Sequence, residues 1–527
     1  MSRVHPDLTS EEDYRLDLRR LLIVISVMLA VVLEIIDTSI VNVALPSMMG
    51  NLGASLDEAD WVITGYIVSN VIIIPMTSWL ASRFGRKRYF VTSILIFTSA
   101  SLLCGLSGTI GQLVFWRIVQ GLGGGALLAT SQTILIESFP PSKQGVGQAI
   151  FGVGAMIGPS LGPTLGGWLT DELSWHWIFL VNVPIGLTAA ALCASTLIDP
   201  PHLQQRSDGP VDWPGMALLV IGIGSLQTFL ERGNRDDWFA SPTIQLLAVT
   251  ATLGIGGLVY RELTTDHPVI DLRVLRRRSL SVGCTLGVLM GVGLYGSIFL
   301  FPVYAQSLLA WTAWQSGLAI LPSSIATAIF MTFVGRLVWR IGPRIPFVFG
   351  MGVMMVALWH MSHWNLASGW DQILAPQILR GIAMGCMFVP LSMATLRSLP
   401  GPEVAKGAGL YNLFRQLGGS LGVALLTTLL DHRADVHRVG LSAQMGPLDP
   451  TTSQAYAAFT HALTLRGLDP ASAAETATAL LGRMIDAQAM AESFSDAYAL
   501  MALLFILMLP LGLSIARHAP GRFAAIE

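Results

Sequence analysis

The chain has 527 residues, 53% of them hydrophobic and only 12% charged, where a soluble domain usually carries about 25% charged residues. A net charge of −2 gives no footing for nucleic-acid binding, and the apolar excess excludes an ordinary soluble fold. Cys104, Cys193, Cys284 and Cys386 all lie in apolar runs and read as small core residues, neither a disulfide framework nor a metal site.

Residues 1–20 are polar and mixed in charge, and the apolar run from Leu21 passes Glu34 without a small-residue cleavage pattern. They read as a retained cytoplasmic tail. A span needs about 20 mostly apolar residues. That rule predicts helices near 21–44, 59–81, 89–107, 112–138, 145–170, 177–198, 213–231, 241–261, 281–306, 315–338, 345–363, 370–396, 405–430 and 494–516.

Lysine and arginine positions test this count. Arg83, Arg86, Lys87, Arg88, Lys143, Arg206, Arg273, Arg276, Arg277, Arg278, Arg340, Arg344, Arg397 and Lys406 fall in alternate loops, expected inside. Loops 45–58, 108–111, 171–176, 307–314 and 364–369, expected outside, carry none. Arg232 and Arg235 break the pattern, offset by Asp236 and Asp237. The alternation fits fourteen spans with both termini cytoplasmic.

The first span carries Glu34 and Asp37, three residues apart and therefore on neighbouring parts of one face. A charge near the bilayer centre costs about 2.5–3.5 kcal/mol on insertion scales, so such groups mark ion or substrate pathways. Asp37 reads as a proton-coupling carboxylate, against a static hydrogen-bonded group. Glu34, one turn nearer the cytoplasm, either shares that role or reaches a wet vestibule.

The turn after the second span holds Arg83, Gly85, Arg86, Lys87 and Arg88, a cytoplasmic gating motif or a plain topology anchor. In the fourth span Arg117, Gln120, Gly121 and Gly124 share a face. Arg117 is either a structural counter-ion or part of the coupling. The fifth span places Gly154, Gly158, Gly162 and Gly166 four apart, a bare ridge for close approach of a neighbouring helix. Pro159 and Pro163 bend it, and Gly167 follows.

An echo runs through the chain. The segment from Ser78 to Gly85 resembles that from Gly335 to Gly342, and Arg117 to Gly121 returns loosely as Arg380 to Gly385. Two matches in the same order indicate two related six-helix halves, with the seventh and eighth spans as an insert. The expected divisions are a tail at 1–20, a bundle at 21–198, the insert and basic loop at 199–280, a second bundle at 281–516 and a tail at 517–527. Segment 431–493 is expected to be a long extracytoplasmic loop, helical near 470–490, and a candidate docking surface. A substrate cavity at the midplane between halves has Asn42, Gln120, Tyr295, Phe299, Arg380 and Asn412 as candidates. No phosphate-cradling loop, metal-ligand cluster or nucleophile–base arrangement is evident, so neither enzyme activity nor a cofactor is expected.

At these motifs the chain resembles the major facilitator superfamily, and within it the fourteen-helix drug:proton antiporters of EmrB type. Ile36 to Pro46 looks like the family's first-helix signature, Trp61 to Tyr66 its second-helix entry, Arg117 to Gly121 its fourth-helix proton-transfer motif, and Gly154 to Gly167 its antiporter motif. Trp175 to Pro184 follows as the family pattern has it. The gating motif departs: Ser78 and Ser82 stand where glycine and an acid are usual. The resemblance implies an all-α membrane protein of major facilitator fold, two six-helix bundles plus two inserted helices. It implies proton-coupled multidrug efflux of hydrophobic or amphipathic compounds across a bacterial inner membrane. It also implies partnership with a periplasmic adaptor and an outer-membrane channel. The alternative reading is a metabolite or nutrient symporter or uniporter on the same scaffold.

Overall fold

Residues 18–140, 143–200, 209–397, 399–444 and 450–515 are described by the computed structural model. Most of the 1–20 tail, Arg206 and the 517–527 tail lie outside those residues. Among the described residues all regular structure is helical.

The first seven helices are α1 (Leu18–Leu52), α2 (Leu56–Phe84), α3 (Arg86–Gly105), α4 (Ile110–Glu137), α5 (Gln144–Glu172), α6 (Trp177–Leu180) and α7 (Asn182–Thr196). Two helices follow, α8 (Trp213–Arg232) and α9 (Pro242–Thr264). The rest are α10 (Arg278–Ser307), α11 (Ala313–Ile341), α12 (Arg344–Met361), α13 (Trp370–Leu396), α14 (Gly401–Gln444), α15 (Pro450–Leu465) and α16 (Pro470–Leu513). Thirteen candidate membrane spans arise from length and composition among the described residues, with α6 and α7 counted together. The glycine-rich α5, 29 residues long and packed on α1 and α11, brings the count to the fourteen expected.

Local chemistry sets several ends. Ser55 and Thr312 each form a capping box, with Glu58 and Gln315, at the starts of α2 and α11. The predicted sixth span is two helices broken at Val181. Pro184 has no N–H to offer the Leu180 carbonyl, so a continuous helix loses a bond there.

The segment at 431–493, expected as a loop with a helix near 470–490, is helical over most of its described residues. Helix α14 continues to Gln444, α15 follows, and α16 begins at Pro470 and runs unbroken through the last span. A helix satisfies its own backbone and has no need to stop where lipid ends. Asp469 starts α16 by accepting bonds from the Ala471 and Ser472 amides. Arg433 and His437 of α14 both reach Asp496 of α16, and Arg438 pairs with Asp486, so the two extensions are clasped.

Helices α1 to α7 form one bundle and α10 to α16 the other. They meet where α5 packs on α11 and α13, and where α14 packs on α2 and α4. Of the inserted pair, α8 lies against α2 and α14, where Gln227 donates to the Ser420 hydroxyl at 2.6 Å, and α9 packs on α8. The exceptional Arg232 and Arg235 are neutralised locally, by Asp236 at 3.0 Å and Asp57 at 2.8 Å.

Candidate functional site

Helix α1 is tightly packed on α5 through the predicted glycine ridge. A Cβ added at Gly154, Gly158, Gly162 or Gly166 would collide with Met28, Ile35, Ser39 or Ile40 respectively. Gly167, just past the ridge, has only ordinary contact with Val43. Ser39 donates a hydrogen bond to the Gly158 carbonyl at 3.2 Å. Pro159 and Pro163 lie within the same helix. This contact fixes the rotation of α1 and turns Glu34 and Asp37 into the bundle.

Asp37 is fully buried. One carboxylate oxygen pairs with Arg117 of α4 at 2.6 Å, and the other accepts bonds from Gln120 at 2.8 Å and Asn182 at 2.9 Å. Arg117 also donates to the Val62 carbonyl at 3.0 Å and to Gln120 at 2.8 Å, and its guanidinium lies 4.1 Å from the Tyr66 ring centre. Asn182 is held by Ser101 at 3.1 Å. The break at Val181 sets Asn182 at the first position of α7, which is how a third helix joins α1 and α4 at the carboxylate. The charge is thus matched by one cation and two amides from two helices, α4 and α7.

Glu34 is 4% exposed, so it does not reach an open vestibule in this state. One of its oxygens accepts from Asn70 at 3.2 Å, while the other has no partner among the described residues. Arg415 of α14, in the opposite bundle, acts on it electrostatically. Arg415 donates to Asn412 at 3.1 Å and to the Tyr295 hydroxyl at 3.3 Å, and Tyr295 donates to Gln416 at 3.0 Å. Asn412 bonds Gln132 of α4 at 2.7 Å, and Gln132 bonds Gln148 of α5 at 3.1 Å. A buried polar network therefore crosses between the bundles beside the Asp37 site.

The sequence candidates divide accordingly. Glu34, Asp37, Arg117 and Gln120 converge, and Tyr295 and Asn412 join the network through Arg415. Phe299 packs half-buried in the apolar core, Asn42 is exposed on α1, and Arg380 stands apart in the second bundle. Asn70, Asn182, Gln132, Gln148 and Arg415 were not singled out as site candidates. Their signal was there: each is a polar side chain inside a predicted apolar span.

The turn between α2 and α3 is stitched from outside its own segment. Gly85 takes φ +85°, and a Cβ there would sit 2.9 Å from Asp199. Asp199 accepts from the Lys87 amide at 2.7 Å, Arg83 donates to the Gly209 carbonyl, and Arg86 pairs with Glu137 of α4. Carboxylates from Asp199 and Glu137 thus serve this turn where Ser82 lacks one. Beside it lies a cavity of about 440 Å³, lined in part by Trp79, Arg86, Thr133, Glu137, His267 and Lys406.

Comparison with known proteins fits this architecture. The family model described as Major Facilitator Superfamily matches residues 27–423. The Haemophilus influenzae protein named "Multidrug export protein EmrB" is 35% identical over 437 residues, 83% of this chain and 85% of its own length. The Neisseria gonorrhoeae "Fatty acid resistance protein FarB" is 32% identical over 434 residues, 81% of this chain and 84% of its own. The crystal structure of the human organic anion transporter MFSD10 (TETRAN) superposes with a TM-score of 0.59 at 14% identity, covering 92% of this chain and 99% of that one, a likeness of fold. With most of its length matched by the family model, and with relatives of this closeness, the chain is a multi-pass membrane protein that belongs to the Major Facilitator Superfamily, alongside the EmrB-type exporters.

Proposed function

We propose that this protein exports hydrophobic or amphipathic compounds across a bacterial inner membrane in exchange for protons. Both termini would be cytoplasmic, because the basic loops fall on one side. The observation that carries the proposal is the buried Asp37–Arg117 pair at 2.6 Å. Relatives named for multidrug export and fatty acid resistance support a greasy cargo.

The coupling works through charge balance. Ionised Asp37 holds Arg117 and, through Gln120 and Asn182, ties α1, α4 and α7 together. A proton on Asp37 removes the counter-charge from a fixed cation in a low-dielectric interior, which weakens the tie and favours another arrangement. Ionised Glu34 would be drawn electrostatically to Arg415 of the opposite bundle, so its protonation state would weigh on how closely the bundles meet. Cargo and proton compete because each prefers a different arrangement, and a ligand shifts the balance only by that preference. Each unit charge crossing down the membrane potential supplies about 2.3 kcal/mol per 100 mV.

The α5–α11 and α2–α14 contacts form the seam about which the bundles would rock, with the cavity beside Arg86 as a way in from the basic face. A periplasmic adaptor and an outer-membrane channel would complete the route, docking on the clasped extensions of α14 and α16. The test uses the full chain in liposomes with an imposed pH gradient and a fluorescent amphipathic cation or weak acid. Extrusion that collapses with the gradient supports antiport; accumulation with the gradient would establish the symporter reading instead.

A further inference from the structure

Each bundle buries an arginine three residues from a glutamine on the same helix face, Arg117 with Gln120 and Arg380 with Gln377. The two are not equivalent in charge. Arg117 meets Asp37, whereas Arg380 of α13, 4% exposed, meets only neutral oxygens: the Ser297 carbonyl at 3.0 Å and the Ser323 hydroxyl at 3.4 Å. No carboxylate pairs with it among the described residues. Its electrostatic neighbour is the phenol of Tyr498, from α16.

The groups around it are short of partners. Gln377 is fully buried with both ends of its amide unpartnered, and the buried Tyr498 hydroxyl is unpartnered too, among the described residues. A desolvated cation without a counter-charge, beside idle donors, is an arrangement that low-dielectric surroundings penalise heavily.

We propose that Arg380, with Gln377, Ser323 and Tyr498, forms a binding site for a small monovalent anion of chloride size. The charge of the site is positive and its neutral members all own a donor hydrogen, whereas a carboxylate that would repel an anion is missing from its described contacts. Size is set by enclosure: Ser297, Ser323, Gln377, Arg380 and Tyr498 are each no more than 4% exposed. A drug-sized carboxylate would enter only if α10, α11, α13 and α16 parted. The bound anion does for the second bundle what Asp37 does for the first, except that it is exchangeable.

The experiment is thermal unfolding of the purified full chain in sodium chloride against sodium gluconate at equal ionic strength. A native-state ligand raises the midpoint as its concentration passes the dissociation constant. The midpoint should rise and saturate with chloride, follow bromide likewise, and ignore gluconate. Ser323→Asp tethers a carboxylate beside the guanidinium, and should give chloride-independent unfolding with a midpoint in gluconate above that of the wild type. Tyr498→Phe keeps the volume and removes a donor, and should raise the half-effective chloride concentration several-fold. Identical wild-type midpoints in both salts would overturn the site, as would a full chloride response in Ser323→Asp. Stabilisation by a long-chain carboxylate but not by chloride would show a cargo site in its place and overturn the small-anion assignment.

Discussion

Gly145 of α5 and Gly335 of α11 meet backbone to backbone, so closely that a Cβ on either would overlap the carbonyl oxygen of the other. The contact lies at the ends of these helices nearest Lys143 and Arg340, on the face that carries the basic loops. It joins the two bundles and closes that face between α5 and α11. Overpacking such a contact typically costs about 1–3 kcal/mol. Gly335→Val should therefore disfavour this arrangement and slow efflux several-fold. Spin labels at Phe84→Cys and Arg340→Cys should report a longer distance between the bundles; an unchanged distance would show that the contact does not govern closure.

Asp37→Asn keeps the shape of the side chain and removes its charge. It leaves Arg117 buried without a counter-ion, a loss of about 3–5 kcal/mol in comparable pairs. Unfolding should shift accordingly, and gradient-driven efflux should be abolished. Adding Arg117→Met should recover much of the stability and none of the transport. Transport that returns with stability would reduce the pair to a structural element.

Glu34→Gln preserves the bond from Asn70 and cancels the attraction to Arg415. Glu34→Gln and Arg415→Met should each slow efflux, with the double variant no slower than the worse single one. A double-mutant cycle on stability should give a coupling of about 0.5–3 kcal/mol. Strict additivity would mean that the two groups do not sense one another across the seam.

Asp469 tests the start of the last helix. Its carboxyl is held below the usual range by hydrogen bonds from Ser472 and from the backbone of α16. A depressed value means that its contribution is present above the ordinary carboxylate range and fades as pH falls through the lowered one. Asp469→Ala should speed amide exchange over the first turn of α16 at neutral pH and leave exchange unaffected by the substitution in strong acid. Exchange that ignores the substitution at neutral pH would remove the cap from the account.

Much of this site was legible because polar groups in an apolar span are expensive and therefore informative. Asp37, Arg117 and Gln120 announced themselves by cost and by shared helix face, and the glycines of α5 announced a close approach. What the residues did not name was the neighbour: that α1 covers the ridge, that Asn182 turns onto Asp37, or that Asn412 reaches Gln132 across the bundles. Those contacts join positions far apart in the chain, and a single sequence carries no pairing information. The extent of helix in the 431–493 segment was hidden for another reason. Hydropathy records where lipid ends, whereas the helices of this segment are held by caps and by pairs such as Arg433 with Asp496.

A helix of 44 residues is roughly 66 Å long, about twice the hydrocarbon thickness of a bilayer. Helices α14 and α16 therefore act as a lever whose short arm sits within the second bundle. A tilt of about 10° in that bundle sweeps the tip of a roughly 36 Å overhang sideways by some 6 Å. If the bundles rock as proposed, whatever grips that tip would feel the cycle as mechanical displacement, larger than the motion within the bundle itself.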